Sequence, residues 1–310
     1  MTIIHAASDL KPGHKKVCVA IGVFDGVHLG HQQVIRQAVS DAEQQEGVAV
    51  VITFDRHPNT IVAPERVPPL IYSLPQKLRA IAGLGADTSM VVRFDEAFSR
   101  QTGEEFIRGL ARDFRRIHSV CVGSTFTFGH KRSGNVALLT KLGEELHFIV
   151  HGLAAVSLDE QVVSSTRIRE AIRAGQLDAA SQMLGRAYSL AGTVMRGDQL
   201  GSKLGFPTAN IDATGLILPP SGVYAVHAHV QGKHFRAALN IGHRPTVQSP
   251  TPQLRVEAHL LDFAGDLYGQ EMEITFVEKL RDEARFPSLK ALQAQIARDV
   301  AAARGLFDVD

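Results

Sequence analysis

Two histidines and three glycines follow a short apolar run near the N-terminus. Residues 19–32 read V-A-I-G-V-F-D-G-V-H-L-G-H-Q, so His28 and His31 stand three positions apart. The apolar run predicts a buried strand, and the pattern after Gly30 predicts a helix that ends near Glu46. The first amides of a helix have no intrahelical partners, so an anion can bind there. With two imidazole donors at the same point, this segment indicates phosphate chemistry.

A second group of polar residues precedes another predicted helix. Residues 163–169 read V-S-S-T-R-I-R, and their hydroxyls can cap a helix that runs to Ala174. No acidic residue occupies the third helical position, so we expect the first-turn amides to stay open to phosphate. Arg167 and Arg169 add planar guanidinium groups that match phosphate oxygens. Taken alone, S-S-T-R would more often be only a helix cap.

The C-terminal half carries a glycine-rich loop and an isolated carboxylate. Residues 197–210 read G-D-Q-L-G-S-K-L-G-F-P-T-A-N, a loop whose amides can approach phosphate oxygens. Thr208 and Asn210 supply neutral oxygens that a Mg²⁺ bridging ATP phosphates can accept. Glu257 interrupts an apolar run, and strand alternation places it on the face opposite its two neighbours. A solvated outward position is the alternative for such a glutamate.

Alternating strands and helices position the N-terminal motifs. Apolar runs beginning at residues 17, 48, 90, 119 and 148 are separated by helical patterns, which predicts a Rossmann-like parallel sheet covered on both faces. Ligands of such sheets bind beyond the carboxyl ends of the strands. The motifs at 22–31, 53–58 and 123–134 each follow a strand, so we expect them to meet at one edge of the sheet.

Short alternating runs separated by turns take over after Arg186 and predict an antiparallel β-barrel. Apolar residues spaced three or four apart between Leu289 and Val300 predict a C-terminal helix lying on the barrel. We therefore predict an α/β protein with two domains, residues 1–186 and 187–310.

The N-terminal motifs resemble those of the HxGH nucleotidylyltransferases, and in their full form those of the flavin branch, FAD synthetase. G-x-F-D-G-x-H-x-G-H at 22–31, T-F-D-x-H-P at 53–58 and S-S-T-R carry the resemblance. It implies transfer of AMP from ATP to FMN, with catalytic residues His28, His31 and Arg167. It implies ATP or phosphate binding by Gly22, Phe24, Asp25, Gly26, Gly30, Ser164, Ser165, Thr166 and Arg169. It implies flavin binding by Phe54, His57, Thr125, Phe126 and Phe128.

One position departs from that family's pattern. The family usually has Asp or Asn directly before the first phenylalanine of its F-x-F-G element, where this chain has Thr125. A threonine hydroxyl can hydrogen-bond a flavin or ribityl group but carries no charge. We therefore expect this substitution to affect flavin affinity rather than phosphate chemistry.

The C-terminal motifs resemble those of riboflavin kinase. P-T-A-N at 207–210, N-I-G-x-R-P-T at 240–246, E-x-H-L-L-D-F at 257–263 and D-L-Y-G at 266–269 carry the resemblance. It implies phosphorylation of riboflavin to FMN by ATP, with Glu257 as the base and Thr208 and Asn210 as metal ligands. It implies ATP or phosphate binding by Gly197, Gly201, Lys203, Gly205 and Pro207. We expect His243 and His259 to be structural or to lie at the rim.

Composition disfavours several other classes of protein. The formal net charge of +1 lacks the basic excess of a nucleic-acid-binding protein. P-loop and dinucleotide-binding glycine motifs are absent from the sequence, which argues against P-loop kinases and ordinary dehydrogenases. Without a long apolar segment or a signal peptide, we expect a cytoplasmic protein with no membrane partner. Cys18 and Cys121 are expected to be buried small hydrophobes rather than disulfide partners or metal ligands.

Together the two resemblances imply a bifunctional enzyme with ATP, riboflavin and FMN as its small-molecule partners. Two alternative functions are also compatible with the sequence. The transferase domain could be degenerate because of Thr125, leaving a riboflavin kinase. The chain could instead be a non-catalytic flavin-binding regulator, but His28, His31 and Glu257 argue against it, because a pure binder needs no base in a phosphate site. The sequence also leaves room for a weak homo-oligomer.

Overall fold

The computed structural model describes residues 1–11, 13, 15–197, 200–244 and 253–307. Contacts between residues divide the chain into two units: Met1–Arg167 with Met183–Gly185, and Ile168–Gln182 with Arg186–Asp310. Residues 168–182 thus pack within the second unit, whereas the predicted boundary at 186 assigns them to the first domain. The position of that boundary stays a prediction.

The first part of the chain alternates strands and helices. The strands are β1 (Thr2–Ile4), β2 (Val17–Ile21), β3 (Val48–Phe54), β4 (Thr88–Val92), β5 (Ile117–Gly123), β6 (Thr127–Phe128), β7 (Gly134–Asn135), β8 (Ile149–Leu153), β9 (Ser157–Leu158) and β10 (Gln161–Val162). The helices are α1 (Leu29–Gln44), α2 (Asn59–Val62), α3 (Leu74–Ala82), α4 (Glu96–Ser99), α5 (Gly103–Phe114), α6 (Val136–Leu146), α7 (Ser165–Arg173) and α8 (Leu177–Leu184). Short 3-10 helices lie at Ala7–Asp9, Pro64–Arg66 and His130–Arg132.

Among the described residues, six parallel strands form one sheet in the order β1-β4-β3-β2-β5-β8. The central strand residues Val50, Val51 and Ile52 are fully buried, as expected for a strand covered on both faces. This architecture confirms the predicted Rossmann-like sheet. The sequence reading missed the three-residue edge strand β1, which is too short to show a hydrophobic period.

Local sequence signals explain where the helices begin. In α5 the Thr102 hydroxyl accepts from the Glu105 amide, and the Glu105 carboxylate accepts from the Thr102 amide, forming a capping box. In α3 the Ser73 hydroxyl accepts from the Gln76 amide, and proline occupies the first turn. These caps begin two helices whose apolar residues pack in the cores that also contain the sheet residues.

The second part of the chain is a barrel with a helix on its outside. Its elements are β11 (Ser189–Met195), α9 (Leu200–Lys203), β12 (Ala209–Ile211), β13 (Gly222–Val230), β14 (Lys233–Arg244), β15 (Gln253–Leu260), β16 (Glu271–Asp282) and α10 (Leu289–Phe307). In the part of the chain that the structure describes, the strands close in the order β11-β12-β15-β14-β13-β16 with antiparallel pairing. On α10, Ala303 and Phe307 pack against Ala225 and Ala238. The predicted barrel and C-terminal helix are therefore confirmed.

Parts of two predicted motifs lie outside the described residues. These are Asp198 and Gln199 of the glycine-rich loop and Pro245 and Thr246 of the N-I-G-x-R-P-T motif, and the side chain of His243 is likewise outside the description. Across the ranges given above, none of the helices combines the length and apolar character that crossing a bilayer requires.

Candidate functional site

The turn between β2 and α1 is tightly packed and locally strained. Phe24 and Val27 have φ angles of 51° and 42°, values that side chains with a Cβ rarely adopt, and Gly26 has a φ of 79°. A Cβ on Gly26 would lie 3.0 Å from the Ile71 side chain, and one on Gly22 would lie 2.8 Å from the Phe24 ring. Glycine is therefore required at both positions for this turn to form.

His28 and His31 lie side by side at the N-terminus of α1. His28 is the N-cap residue, and its Nδ1 accepts a hydrogen bond of 3.4 Å from the His31 amide. The two rings stack with centroids 3.6 Å apart, and a Cβ on Gly30 would come within 3.3 Å of the His28 ring. In a neutral imidazole one nitrogen is a donor when the other accepts, so with a neutral ring this bond leaves the His28 proton on Nε2. Nε2–H is then the donor that His28 can offer to a phosphate.

Asp25 is buried, and its carboxylate holds the neighbouring loop. Its oxygens accept from the Ile71 amide at 3.0 and 3.1 Å and from the Tyr72 amide at 3.2 Å. The backbone carbonyl of Asp25 accepts from the Ser165 hydroxyl at 3.0 Å. This geometry directs the Asp25 side chain to protein amides, whereas the resemblance implied a role in ATP or phosphate binding.

The S-S-T-R element is joined to that same turn through Ser165. The Ser164 hydroxyl caps α7 by accepting from the Arg167 amide at 3.3 Å, so the expectation that all first-turn amides stay open is wrong for this one. One terminal nitrogen of Arg167 donates to the carbonyls of Gln161 and Val162 at 2.9 and 2.8 Å. A guanidinium has five N–H donors, so this anchor does not use up the donors of Arg167.

The other two predicted residues of this element differ in burial. Thr166 is exposed, whereas Arg169 is buried at 7% exposure and belongs to the second unit. The described hydrogen bonds join Ser165 of this element to the Asp25 turn, and Arg169 is grouped with the second unit.

Lys77 is a buried residue of this site that the sequence reading missed. Its ammonium group donates to the carbonyls of Val23 at 3.2 Å and Phe54 at 2.9 Å and to the Thr53 hydroxyl at 3.0 Å. Burial lowers the pKa of Lys77 to about 8, although the nearby Asp25 and Asp55 carboxylates act in the opposite direction. The available signal was a lysine within the apolar i, i+3, i+4, i+7 stripe of α3, which also contains Leu74, Leu78 and Ile81.

The T-F-D-x-H-P motif meets the same turn at the end of β3. The Thr53 hydroxyl donates to the Val23 carbonyl at 3.0 Å, which confirms that the two motifs converge. The Asp55 carboxylate accepts from the Phe94 amide at 2.9 Å. Burial acts to raise the pKa of this carboxyl, but the Phe94 amide and the Arg56 guanidinium have the larger combined effect, so the pKa is lowered. His57 Nδ1 accepts from the Asn59 amide at 3.1 Å. A small cleft at this point is lined by Val23, Asp25, Asp55, Arg56, His57, Leu70, Tyr72, Leu74 and Lys77.

A continuous row of phenylalanine rings joins the predicted flavin-binding residues. Phe54 contacts Phe94 and Phe98, and the row continues through Phe106 to Phe128 with ring centroids 5.4–6.3 Å apart. Phe126 stacks on Phe128 at 5.2 Å. Phe126 and Phe128 are half-buried, whereas Thr125 is exposed. The row therefore presents an aromatic surface on which a planar ring system can stack. This surface is next to Thr125, the position at which the sequence differs from the family pattern.

The second unit contains a cavity of about 410 Å³ between the outer face of the barrel and α10. Glu257 faces it from β15, opposite Asn210 of β12 on one side and Asn240 of β14 on the other. Val256 and Ala258 are buried inside the barrel, so the predicted alternation along this strand is confirmed. The cavity lining also includes Gly201, Thr208, Arg255 and His259, and Arg255 Nη1 lies 4.0 Å from a Glu257 carboxylate oxygen.

The glycine-rich loop bends over one end of this cavity. The Gly201 carbonyl accepts from the Phe206 amide at 2.8 Å, and a Cβ on Gly201 would collide with the Phe206 carbonyl. His259 contacts the Phe206 ring, and its Nδ1 lies 2.8 Å from the Pro207 carbonyl oxygen. His259 thus positions the loop, in keeping with its predicted structural role. A Cβ on Gly197 would collide with the Asn210 amide, whereas Lys203 and Gly205 are exposed.

Helix α10 forms the apolar wall of the cavity, which the sequence reading did not assign to the site. The wall comprises Leu292, Ile296 and Val300. Arg281 on β16 anchors it through two hydrogen bonds of 2.8 and 2.7 Å to the buried Asp299 carboxylate. A bidentate pair of a guanidinium and a carboxylate fixes both the distance between the two groups and their relative orientation. The pair therefore holds α10 in place on the barrel.

Comparisons with known proteins cover both parts of the chain. The model of the FAD synthetase family matches residues 10–167, and the model of the riboflavin kinase family matches residues 184–307. A bifunctional riboflavin kinase/FMN adenylyltransferase from Escherichia coli strain K12 is 37% identical over 309 residues, which are 99% of this chain and 98% of that protein. The protein of the same description from Haemophilus influenzae is 36% identical over 291 residues, 94% of each chain. A crystal structure of a macrolide-efflux protein from Streptococcus pneumoniae has a TM-score of 0.81 and 27% identity, and it covers 97% of this chain and 98% of that one.

Proposed function

This chain belongs to the bifunctional riboflavin kinase/FMN adenylyltransferase family, and we propose that its residues carry out two successive reactions as follows. The barrel unit transfers the γ-phosphoryl group of ATP to the 5′-hydroxyl of riboflavin, giving FMN and ADP. The sheet unit joins FMN to the AMP moiety of a second ATP, giving FAD and pyrophosphate. The row Asn210, Glu257 and Asn240 across three paired strands is the observation that carries the kinase assignment.

Glu257 is the base of the kinase reaction. As the riboflavin 5′-oxygen attacks the γ-phosphorus, its proton passes to the Glu257 carboxylate, the new O–P bond forms, and the bond to ADP breaks. The half-buried carboxylate faces the cavity between two amide side chains, which can orient it and the hydroxyl. The apolar wall of α10 suits the flat ring of a flavin, because that surface needs few hydrogen bonds.

The oxygen atoms at this end of the cavity fit a hard divalent cation. Thr208, Asn210 and Glu257 face one cavity with hydroxyl, amide and carboxylate oxygens, the ligand types that Mg²⁺ prefers. We propose that Thr208 and Asn210 hold Mg²⁺, which when bound would neutralise charge on the ATP phosphates.

Adenylyl transfer needs positive charge and donors rather than a base. The FMN phosphate is already an anionic nucleophile; as its oxygen bonds to the α-phosphorus of ATP, the bond to pyrophosphate breaks. The His28 Nε2–H group, His31 and Arg167 are the donors toward charge that develops on the α-phosphate and the leaving group. Lys77 acts as a positioning residue, because it ties the strand end at Phe54 to the turn at Val23.

We also propose the substrates and the compartment in which the protein acts. ATP, riboflavin and FMN are the partners, Phe126 and Phe128 provide stacking surface for the flavin, and the protein works in the cytoplasm. Support for the flavin contacts comes from the aromatic row described above, while Thr125 favours the second candidate function, a riboflavin kinase with a weakened transferase.

One coupled assay separates these proposals. The full chain is incubated with riboflavin, ATP and Mg²⁺, and FMN, FAD and pyrophosphate are resolved over time. FMN followed by FAD with an equal amount of pyrophosphate supports both activities. Accumulation of FMN alone supports the weakened transferase, and flavin binding without either product would overturn the enzyme assignment.

A further inference from the structure

A cluster of metal-binding side chains lies apart from the residues assigned to either reaction. Asp41 of α1, Cys121 of β5 and His151 of β8 each present one ligand atom, and these atoms lie within 4.8 Å of one another. Asp41 and Cys121 are buried, whereas the His151 side chain is 32% exposed. The sequence reading expected Cys121 to be a small hydrophobe and had no means of bringing these three residues together.

The backbone positions of the cluster are set by regular structure. Cys121 and His151 are register partners in the parallel pairing of β5 with β8, so their side chains emerge side by side. Asp41 projects from α1, which packs against β5. Sites that are built on strands and helices hold their ligands more precisely than sites on loops.

The distances from Asp41 to the other two ligand atoms are close to those around a tetrahedral ion. Cys121 Sγ lies 3.8 Å and His151 Nε2 lies 3.2 Å from the same Asp41 oxygen, Oδ2. Typical zinc bonds of about 2.3 Å to sulfur and about 2.0–2.2 Å to nitrogen or oxygen give tetrahedral ligand separations of about 3.6 and about 3.4 Å. Both distances to Asp41 Oδ2 are within a few tenths of an ångström of those values.

A neighbouring side chain orients the carboxylate for such a role. The Gln37 side-chain amide donates to Asp41 Oδ1 at 2.7 Å, which leaves Oδ2 directed at the thiol and the imidazole. Outer groups that hydrogen-bond metal ligands in this way are a regular part of metal sites.

We propose that Asp41, Cys121 and His151 bind one divalent transition-metal ion of the zinc type. The exposed edge of His151 admits the ion, and a water molecule takes the fourth position. Binding releases the Cys121 thiol proton to the solvent, and the resulting thiolate and carboxylate balance the two positive charges. Nitrogen and sulfur ligands favour this class of ion over Mg²⁺, so the site is chemically distinct from the oxygen donors of Thr208 and Asn210 in the kinase cavity.

Burial raises the pKa of the Cys121 thiol, which keeps it protonated when no ion is present. The ion must therefore compete with this proton, and its affinity increases with pH. The bound ion would tie α1 to β5 and β8, so it stabilises the first unit without entering its chemistry.

Cobalt titration of the full-length, tag-free protein tests the proposal. After treatment with a chelator and a reductant, the protein is titrated with Co²⁺, and the thiolate-to-cobalt absorption in the near ultraviolet is followed. We expect one equivalent of Co²⁺ to saturate the band and Zn²⁺ to displace it. Cys121→Ala should abolish the band, His151→Asn should weaken binding strongly, and Gln37→Leu should weaken it about 10–100-fold.

The matched control is Cys18→Ala, which removes the other buried thiol, a residue outside the cluster. This variant should keep the band unchanged. His151→Asn replaces a partly exposed side chain, so its circular dichroism should match the parent and exclude unfolding as the cause. The proposal is overturned if the parent shows no band at stoichiometric Co²⁺ or if the band survives in Cys121→Ala. The cluster would then be a metal-free contact between the Asp41 carboxylate and the His151 imidazole.

Discussion

Replacing Lys77 by methionine should change how the stability of the first unit depends on pH. Lys77 is 7% exposed, and burial lowers its pKa to about 8, while a lysine in an unfolded chain titrates near about 10.4. Between these values the unfolded chain binds more protons than the folded one, so the free energy of unfolding rises with pH. At about 1.4 kcal/mol per pKa unit the whole difference is about 3 kcal/mol, of which about 2 kcal/mol falls between about pH 8 and 10.

Denaturant unfolding of the parent and Lys77→Met at several pH values between about 7 and 10 measures this difference. We expect the parent to gain about 2 kcal/mol relative to the variant between about pH 8 and 10. Lys141→Met is the matched control, because Lys141 is exposed on the same unit. Because the chain forms two units, denaturant can unfold it in more than one transition. The transition to analyse is the one whose midpoint the Lys77→Met substitution shifts. Parallel pH profiles for parent and variant would refute the reasoning.

The same substitution separates the two activities. Without the ammonium group the Phe54 carbonyl loses a buried donor, at about 1–3 kcal/mol for an unsatisfied group, whereas the Val23 carbonyl keeps the Thr53 hydroxyl as a donor. The turn that leads to His28 is then less firmly held, so FAD formation from supplied FMN should slow. FMN formation from riboflavin should continue at the parent rate. Equal loss of both activities would assign Lys77 a role in the general stability of the protein instead.

Four further predictions concern the remaining elements. His28→Ala should lower FAD formation about 10²–10³-fold and leave FMN formation unchanged, as assayed with FMN or riboflavin supplied separately. Glu257→Gln should lower the kinase rate about 10²–10⁴-fold with unchanged thermal stability. A variant that keeps most of the rate would show that Glu257 is not the base and would favour the alternative, a solvated outward position on the strand. A fragment starting at Ile168 should melt at a higher temperature than one starting at residue 187, because residues 168–182 pack within the second unit; equal melting would support the boundary at 186. Arg281→Met should raise the KM for riboflavin more than it lowers kcat, since the helix it anchors forms a cavity wall; an unchanged KM would contradict that role.

The fold could be predicted from sequence largely because its signals are local. Runs such as residues 48–54 and the capping box at Thr102 determine their own secondary structure, and alternation of strands and helices then limits the topology. Strand β12 was missed because three residues give too short a pattern, and the motif P-T-A-N was interpreted as part of a loop. Its pairing with β15 is what places Asn210 opposite Glu257.

The site could be predicted only as far as motifs extend. His28, His31 and Glu257 belong to motifs with fixed spacing, whereas Lys77 and Arg281 reach their sites through helix packing and strand register. The amide partners of Asp25 were also outside reach, because a motif shows which residue is present and not which amides its carboxylate meets. Distances of 3.0–3.2 Å to Ile71 and Tyr72 depend on how a loop forty-six residues away folds back.

The alternation along β15 has a consequence for how this protein can change over evolutionary time. Val256, Ala258 and Leu260 fill the barrel, while Arg255, Glu257 and His259 line the cavity on the other side. Selection for stability therefore acts on the positions that face the barrel interior. Selection for substrate binding and catalysis acts on the alternate positions, which face the cavity. A lineage can repack the interior without altering the chemistry, or alter the cavity without losing the barrel. A mutational scan scored separately for abundance and for kinase activity should accordingly show two interleaved profiles, each with a period of two residues.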